Sequence, residues 1–141
     1  MRMLSIAFEN TQSLEYEMDS TMEFRLKFAV HIDEPRVRVR VILQNSIASP
    51  VGMTQTEPFE VKAGQTVTRR IRLPLDGLAP GEYIMRMSLI SGTPIGLSMF
   101  YDTIMDVSRF IVTDDPAVNA GFKWSERVWG NGRLKALELD T

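Results

Sequence analysis

Arg36, Arg38 and Arg40 stand two residues apart, alternating with Val37, Val39 and Val41, and Gln44 follows at the same parity. On an extended strand that spacing puts every one of them on a single face. A guanidinium is a planar fork of N–H donors, suited to carboxylates, phosphates and hydroxyls. Arg70, Arg72 and Arg86 occupy the polar positions of other alternating segments, and Tyr101 adds a ring that carries a hydroxyl. If these strands are neighbours, one sheet presents a cationic, donor-rich surface able to hold a polar ligand. The competing reading is a solvated outer face, with Glu23 and Glu82 pairing across strands for tenths of a kcal/mol each.

Other reactive constellations are thin. His31 is the single histidine, so a Ser-His-Asp triad would have to be built on it. It stands at the end of an alternating strand before Asp33-Glu34-Pro35 and reads as an ordinary strand-end residue. Asp114 and Asp115, with Asp102 and Asp106, offer hard oxygen ligands for calcium, but their spacing matches no calcium loop. Solvated loop acids are the expectation there. No GxxxxGK[ST] loop or GxGxxG is present, which argues against nucleotide hydrolysis and Rossmann-type cofactor binding. No carboxylate pair stands out for glycoside hydrolysis, which leaves a glycan-modifying enzyme as a remote alternative. No catalytic residue, metal or cofactor is expected. Phe122, Trp124 and Trp129 form an aromatic group suited to stacking on sugars or to plugging one end of a core.

The elements that must position these residues follow a period of two. Met22–Val30 puts Met22, Phe24, Leu26, Phe28 and Val30 on one side and Glu23, Arg25 and Lys27 on the other. Arg36–Gln44, Thr66–Leu73 and Glu82–Ile90 repeat the alternation, the last with Tyr83, Met85, Met87 and Leu89 inward. Met3–Phe8, Ile47–Thr54, Asp106–Val112 and Arg133–Leu139 are further strand candidates. Turn chemistry separates them, as in Lys62-Ala63-Gly64-Gln65, Asp76-Gly77, Ala79-Pro80-Gly81, Ser91-Gly92-Thr93-Pro94 and Trp129-Gly130-Asn131-Gly132. No segment carries a helical stripe, and a helix is expected at most as one turn near Pro116–Ala120. About eight short strands at this spacing predict an all-β antiparallel β-sandwich, jelly-roll or immunoglobulin-like.

With 141 residues and no interdomain linker, residues 1–141 are expected to fold as a single domain around one core. Lys and Arg number 16 against 18 Asp and Glu, a net charge of −2, so bulk charge gives no reason to expect nucleic acid. The absence of cysteine removes disulfides and thiol chemistry and fits a reducing compartment. The apolar runs are too short for a membrane helix, and MRMLSIAFEN lacks the long apolar region of a signal peptide. The expectation is a cytoplasmic protein or a piece of a larger one. The terminal Arg133–Leu139, after a Gly-Asn-Gly turn, suits a strand that pairs with its own sheet or a partner's.

Three segments together resemble the C-terminal domain of Wzt-type proteins, the ATP-binding subunits of ABC transporters that export O-antigen polysaccharide. They are PFEVKAGQTVTRRIRLPLDGLAPGEYIMRMSLIS (Pro58–Ser91), YDTIMDVSRFIVTDD (Tyr101–Asp115) and GFKWSERVWGNGRLKAL (Gly121–Leu137). Their order is similar to the family's: a Leu-x-Pro-Gly-x-Tyr turn, a hydrophobic strand, a Tyr-Asp segment leading to Phe-x-Val, and an end containing Trp. The resemblance implies a non-catalytic sandwich that recognises the finished, often modified, non-reducing end of the glycan. It also implies a homodimer that exchanges its C-terminal strand. The family's ATPase domain is absent from these residues, and through it the protein would reach the transporter's membrane subunit, cytoplasmic and peripheral to the inner membrane. The expected ligand-binding residues are Arg36, Arg38, Arg40, Gln44, Arg70, Arg72, Arg86 and Tyr101. The rival reading is an interaction module that docks another protein.

Overall fold

A computed structural model describes residues 1–9, 13–92, 98–115 and 121–140. Its strands are β1 (Arg2–Phe8), β2 (Glu15–Tyr16), β3 (Thr21–Ala29), β4 (Glu34–Asn45), β5 (Pro50–Gln55), β6 (Phe59–Val61), β7 (Thr66–Pro74), β8 (Gly81–Gly92) and β9 (Ser98–Val112). One sheet runs β1-β3-β7, and the other runs β2-β9-β8-β4-β5 with β6 also paired to β4. The pairings are antiparallel except β2 with β9, so the molecule is the all-β antiparallel sandwich that the alternation predicts. Among the described residues no helix is long and apolar enough to cross a membrane.

The core fills the space between the sheets and takes the inward set of each alternation. Met22, Phe24, Leu26 and Phe28 of β3 come from one side, and Val37, Val39 and Val41 of β4 with Tyr83, Met85, Met87 and Leu89 of β8 from the other. Burying one such side chain fully is worth about 1.5–3 kcal/mol, which is why the register cannot slip. The Pro-Gly turn into β8 is tied by its own tyrosine: the buried Tyr83 hydroxyl donates to the Ala79 carbonyl at 2.5 Å. In the β6–β7 turn Gly64 adopts φ +86°, a left-handed conformation that favours glycine.

Several expectations needed correction. Strand β9 spans 15 residues rather than Asp106–Val112 alone, and two bulges, opposite Met85/Met87 and Leu89/Ile90, fit its extra residues to β8. Short β2 and β6 carry too few residues to show a period. Residues 126–129 form a single helical turn, α1 (Glu126–Trp129). The turn anticipated near Pro116–Ala120 lies outside the described residues. Arg133–Leu139 is not a strand of its own sheet: the last bridge joins Leu78 to Gly132, and beyond it Leu134, Leu137 and Leu139 are 93, 99 and 88% exposed. Arg133 fixes the base of this tail, its backbone N–H donating to the Gly77 carbonyl, its Nε to the Leu78 carbonyl and its Nη2 to Asp19.

Candidate functional site

The eight predicted residues do not share one surface. Arg70 and Arg72 lie on β7, in the three-stranded sheet, whereas Arg36, Arg38, Arg40 and Gln44 lie on β4 and Arg86 on β8. The condition that the strands be neighbours therefore fails for Arg70 and Arg72. Their outer face is an ion-pair cluster instead. Arg70 Nη2 lies 2.9 Å from Glu23 and 3.0 Å from Glu9, Arg72 Nε 3.2 Å from Glu23, and Arg25 Nε 2.6 Å from Glu9. Glu23 thus plays the neutralising part considered from sequence, and Glu9 joins it unforeseen.

The remaining residues meet on the six-stranded sheet, on the face away from the core. Antiparallel register sets them in rows across β4, β8 and β9. Arg38 is opposite Ile90, which is opposite Phe100, and Arg40 is opposite Ser88, which is opposite Thr103. Gln55 of β5 flanks Arg40, and Met53 flanks Ile42, which faces Arg86. Gln44, Ile84 and Arg109 make the last row. On the central strand of these rows Ile90 is 1% exposed and Ser88 5%, although neither belongs to the inter-sheet core. Ser88 and Ile90 of β8 are short beside Arg38 and Arg40 of β4 and Phe100 of β9, so the sheet dips between them in a shallow trough.

The three arginines of β4 are each positioned by a neutral partner. Arg36 Nε donates to the Gly92 carbonyl at 3.0 Å, and Arg38 Nη1 to the Thr56 carbonyl at 3.0 Å. Arg40 donates twice to Gln55 Oε1, at 3.3 and 3.2 Å, and its guanidinium sits 5.8 Å from the Phe100 ring centre. On the floor the Ser88 and Thr103 hydroxyls share a hydrogen bond of 2.9 Å. A Cβ at Gly92 would come within 2.7 Å of Arg38 Nε, so any side chain there would push the Arg38 guanidinium from its place.

Tyr101 is placed differently from the expectation. It is the extra residue of the bulge opposite Leu89/Ile90, half-buried against the core, and its hydroxyl donates to Glu34 Oε2 at 2.5 Å. That hydrogen bond to a carboxylate, with burial second, pushes its phenol up to about 12. Burial raises Tyr16 and Tyr83 as well. A group held protonated by the fold stabilises it below the unfolded value near 10, and loses that contribution as pH rises toward 12. In an absorbance titration, no tyrosine is expected to ionise at the free-phenol value, and alkaline unfolding should precede or accompany ionisation of Tyr101. Tyr101→Phe should cost about 1 kcal/mol in urea unfolding and flatten stability between pH 10 and 12. Three tyrosines titrating together near 10 in a folded sample would refute this.

The neighbour missed by sequence reasoning is Phe100, 57% exposed and pointing from the face. Its signal was its parity: Phe100 alternates with Tyr101, but the bulge at Tyr101 hides that from a strict period. Of the other candidates, exposed His31 lies beyond the end of β3. Asp102 accepts the Met3 backbone N–H, Asp106 pairs with Arg109, and Asp114 accepts the Trp124 backbone N–H. Among the described residues no three metal-ligating side chains gather. The aromatic group packs on itself: Trp129 meets Phe122 at 5.3 Å and Trp124 at 5.6 Å, edge to face, while Trp124 Nε1 donates to the Gly130 carbonyl. Phe122 and Trp129 remain about half exposed.

No curated protein matches the chain. A solved structure described as the crystal structure of the C-terminal domain of Wzt superposes with a TM-score of 0.76 at 16% identity, covering 99% of this chain and 83% of that one. At that identity the likeness shows the fold alone. The family model for the Wzt C-terminal domain matches residues 2–124, which takes in both sheets and every strand of the trough. The chain belongs to the Wzt C-terminal domain family.

Proposed function

We propose that this chain is a non-catalytic carbohydrate-binding domain of an O-antigen ABC transporter's ATP-binding protein. Its trough holds the modified non-reducing end of the polysaccharide. One observation carries the choice of face: across β4, β8 and β9 polar rows alternate with apolar contacts, Arg40–Ser88–Thr103 beside Arg38–Ile90–Phe100. A pyranose has the same division, with hydroxyls at its rim and C–H groups on its faces. Arg36, Arg38, Arg40, Gln44 and Arg86 supply donors, and Phe100 supplies the ring.

In this reading residues 1–141 form one binding domain within a longer ATP-binding protein, whose ATPase part contacts the membrane subunit at the inner membrane. The exposed Leu134, Leu137 and Leu139, on a tail whose base is anchored at Arg133, support a homodimer that exchanges its C-terminal strand. Intrinsic binding worth about 4–8 kcal/mol gives millimolar to micromolar affinity, and two sites in a dimer raise the effective value.

The test is a calorimetric or NMR titration with polysaccharide from the chain's own source strain, run beside the same glycan lacking its terminal modification. Saturable binding to the native form alone is expected. Equal binding to both would leave a carbohydrate module that ignores the terminus, and none to either would favour the protein-docking module.

A further inference from the structure

The two sheets treat most of their outward arginines differently, Arg109 with its Asp106 partner at the end of the trough being the exception. On the three-stranded sheet Arg25, Arg70 and Arg72 all meet Glu9 or Glu23. On the trough Arg36, Arg38, Arg40 and Arg86 make no ion pair among the described residues. Of the acids on or beside β4 and β9, Glu34 accepts from Tyr101 and the Arg36 backbone, Asp106 pairs with Arg109, and Asp102 accepts from Met3, while Glu57 and Glu82 form no ion pair with these arginines. The residues outside the description carry no acidic side chain. Arg36, Arg38 and Arg40 follow one another at about 6.7 Å along β4, so their charges repel with no counter-charge between them.

The polar balance of the trough points the same way. Its arginines only donate, and apart from the backbone carbonyls and the Asp106 carboxylate already taken by Arg36, Arg38 and Arg109, its acceptors are Gln44, Gln55 and the two hydroxyls of Ser88 and Thr103. A neutral sugar brings hydroxyls that donate as well as accept and would leave donors facing donors. A carboxylate or phosphate brings acceptors only, and a guanidinium fork can hold it through two parallel hydrogen bonds.

We infer that the sugar unit held in the trough carries an anionic group, a carboxylate or a phosphate, which Arg38 and Arg40 engage while the ring lies toward Phe100. This rests on the carbohydrate reading given above and adds the charge class of the ligand.

The experiment uses the whole chain, isotope-labelled, titrated by NMR with methyl glucoside, methyl glucuronide, glucose 6-phosphate and inorganic phosphate, beside the source-strain polysaccharide. At least one acidic sugar should bind about tenfold or more tightly than methyl glucoside, with shifts at Ser88 and Thr103. The tighter of the two acids identifies the anion. Its affinity should fall several-fold between 0.05 and 0.5 M salt, as the Debye length shrinks from about 14 to about 4 Å. Arg38→Gln with Arg40→Gln keeps donors but removes charge, and should bring the acid down to the level of the neutral sugar. Equal binding of neutral and acidic sugars in the trough overturns the inference and leaves the carbohydrate reading intact. Inorganic phosphate binding as tightly as glucose 6-phosphate overturns it too, by showing a plain anion site. Failure of every probe, polysaccharide included, overturns both readings.

Discussion

Arg38→Ala combined with Arg40→Ala should leave the protein folded and abolish the polysaccharide binding proposed for it. Hydrogen bonds to a charged group are worth about 1.5–3 kcal/mol each, so losing two guanidinium groups removes most of a binding energy of about 4–8 kcal/mol. The fold loses little, because these side chains are only partly buried and their partners, the Thr56 carbonyl and Gln55 amide, reach solvent exchange easily once freed. The melting temperature should move by no more than about 1–3 °C. Thermal melts and calorimetric titrations on the same samples decide it. Arg70→Ala is the matched control: it breaks contacts to Glu9 and Glu23 on the other sheet, and should leave glycan affinity unchanged. A large stability loss in the double variant, or an equal binding loss in the control, would show that the arginines act through the fold.

That contrast between the two sheets marks the limit of what the sequence discloses. Alternation reports which side of its own strand a residue occupies, so Val37, Val39 and Val41 were legible as core and Arg36, Arg38 and Arg40 as outward. It is silent about which strands share a sheet. The β3–β7 and β4–β8 pairings arise from long-range packing, and only they separate Arg70 and Arg72 from the β4 arginines. Bulges hide information in a second way. The extra residue at Tyr101 turns that side chain inward and leaves Phe100 outward, a reversal no fixed period predicts. Ile84, Ser88 and Ile90 were misleading for a third reason. They hold the outward positions of β8, but the central strand of a sheet flanked by long side chains is buried on both faces. The tail fails by a different route: its apolar alternation is real, yet among the described residues no strand pairs with it beyond Arg133.

Phe110→Ala should be the most damaging single change to the sandwich. Phe110 is 1% exposed on β9, stacked on Tyr83 of β8 at 5.5 Å and met edge-on by Tyr16 of β2 at 6.0 Å. One ring therefore joins three strands at the end of the core where Tyr83 also ties down the Pro-Gly turn. Truncating a buried phenylalanine costs about 3–5 kcal/mol, the lost transfer energy plus the cavity left behind. Strand β8 is held between β9 and β4 and cannot collapse into the space, whereas β2 lies at the sheet edge. For 141 residues the unfolding entropy converts this into a fall of about 10–17 °C in melting temperature. Urea unfolding should show the loss in the midpoint with an unchanged slope. Phe100→Ala, ten residues earlier on the same strand, provides the opposite case: its exposed ring faces the trough, so it should cost little stability and weaken ligand binding instead. If the two phenylalanines behaved alike, the division of β9 into a face that builds the core and a face that meets the ligand would be wrong. A Phe110→Ala variant that binds normally below its lowered melting point would show that the trough depends on β9 being folded and not on this ring itself.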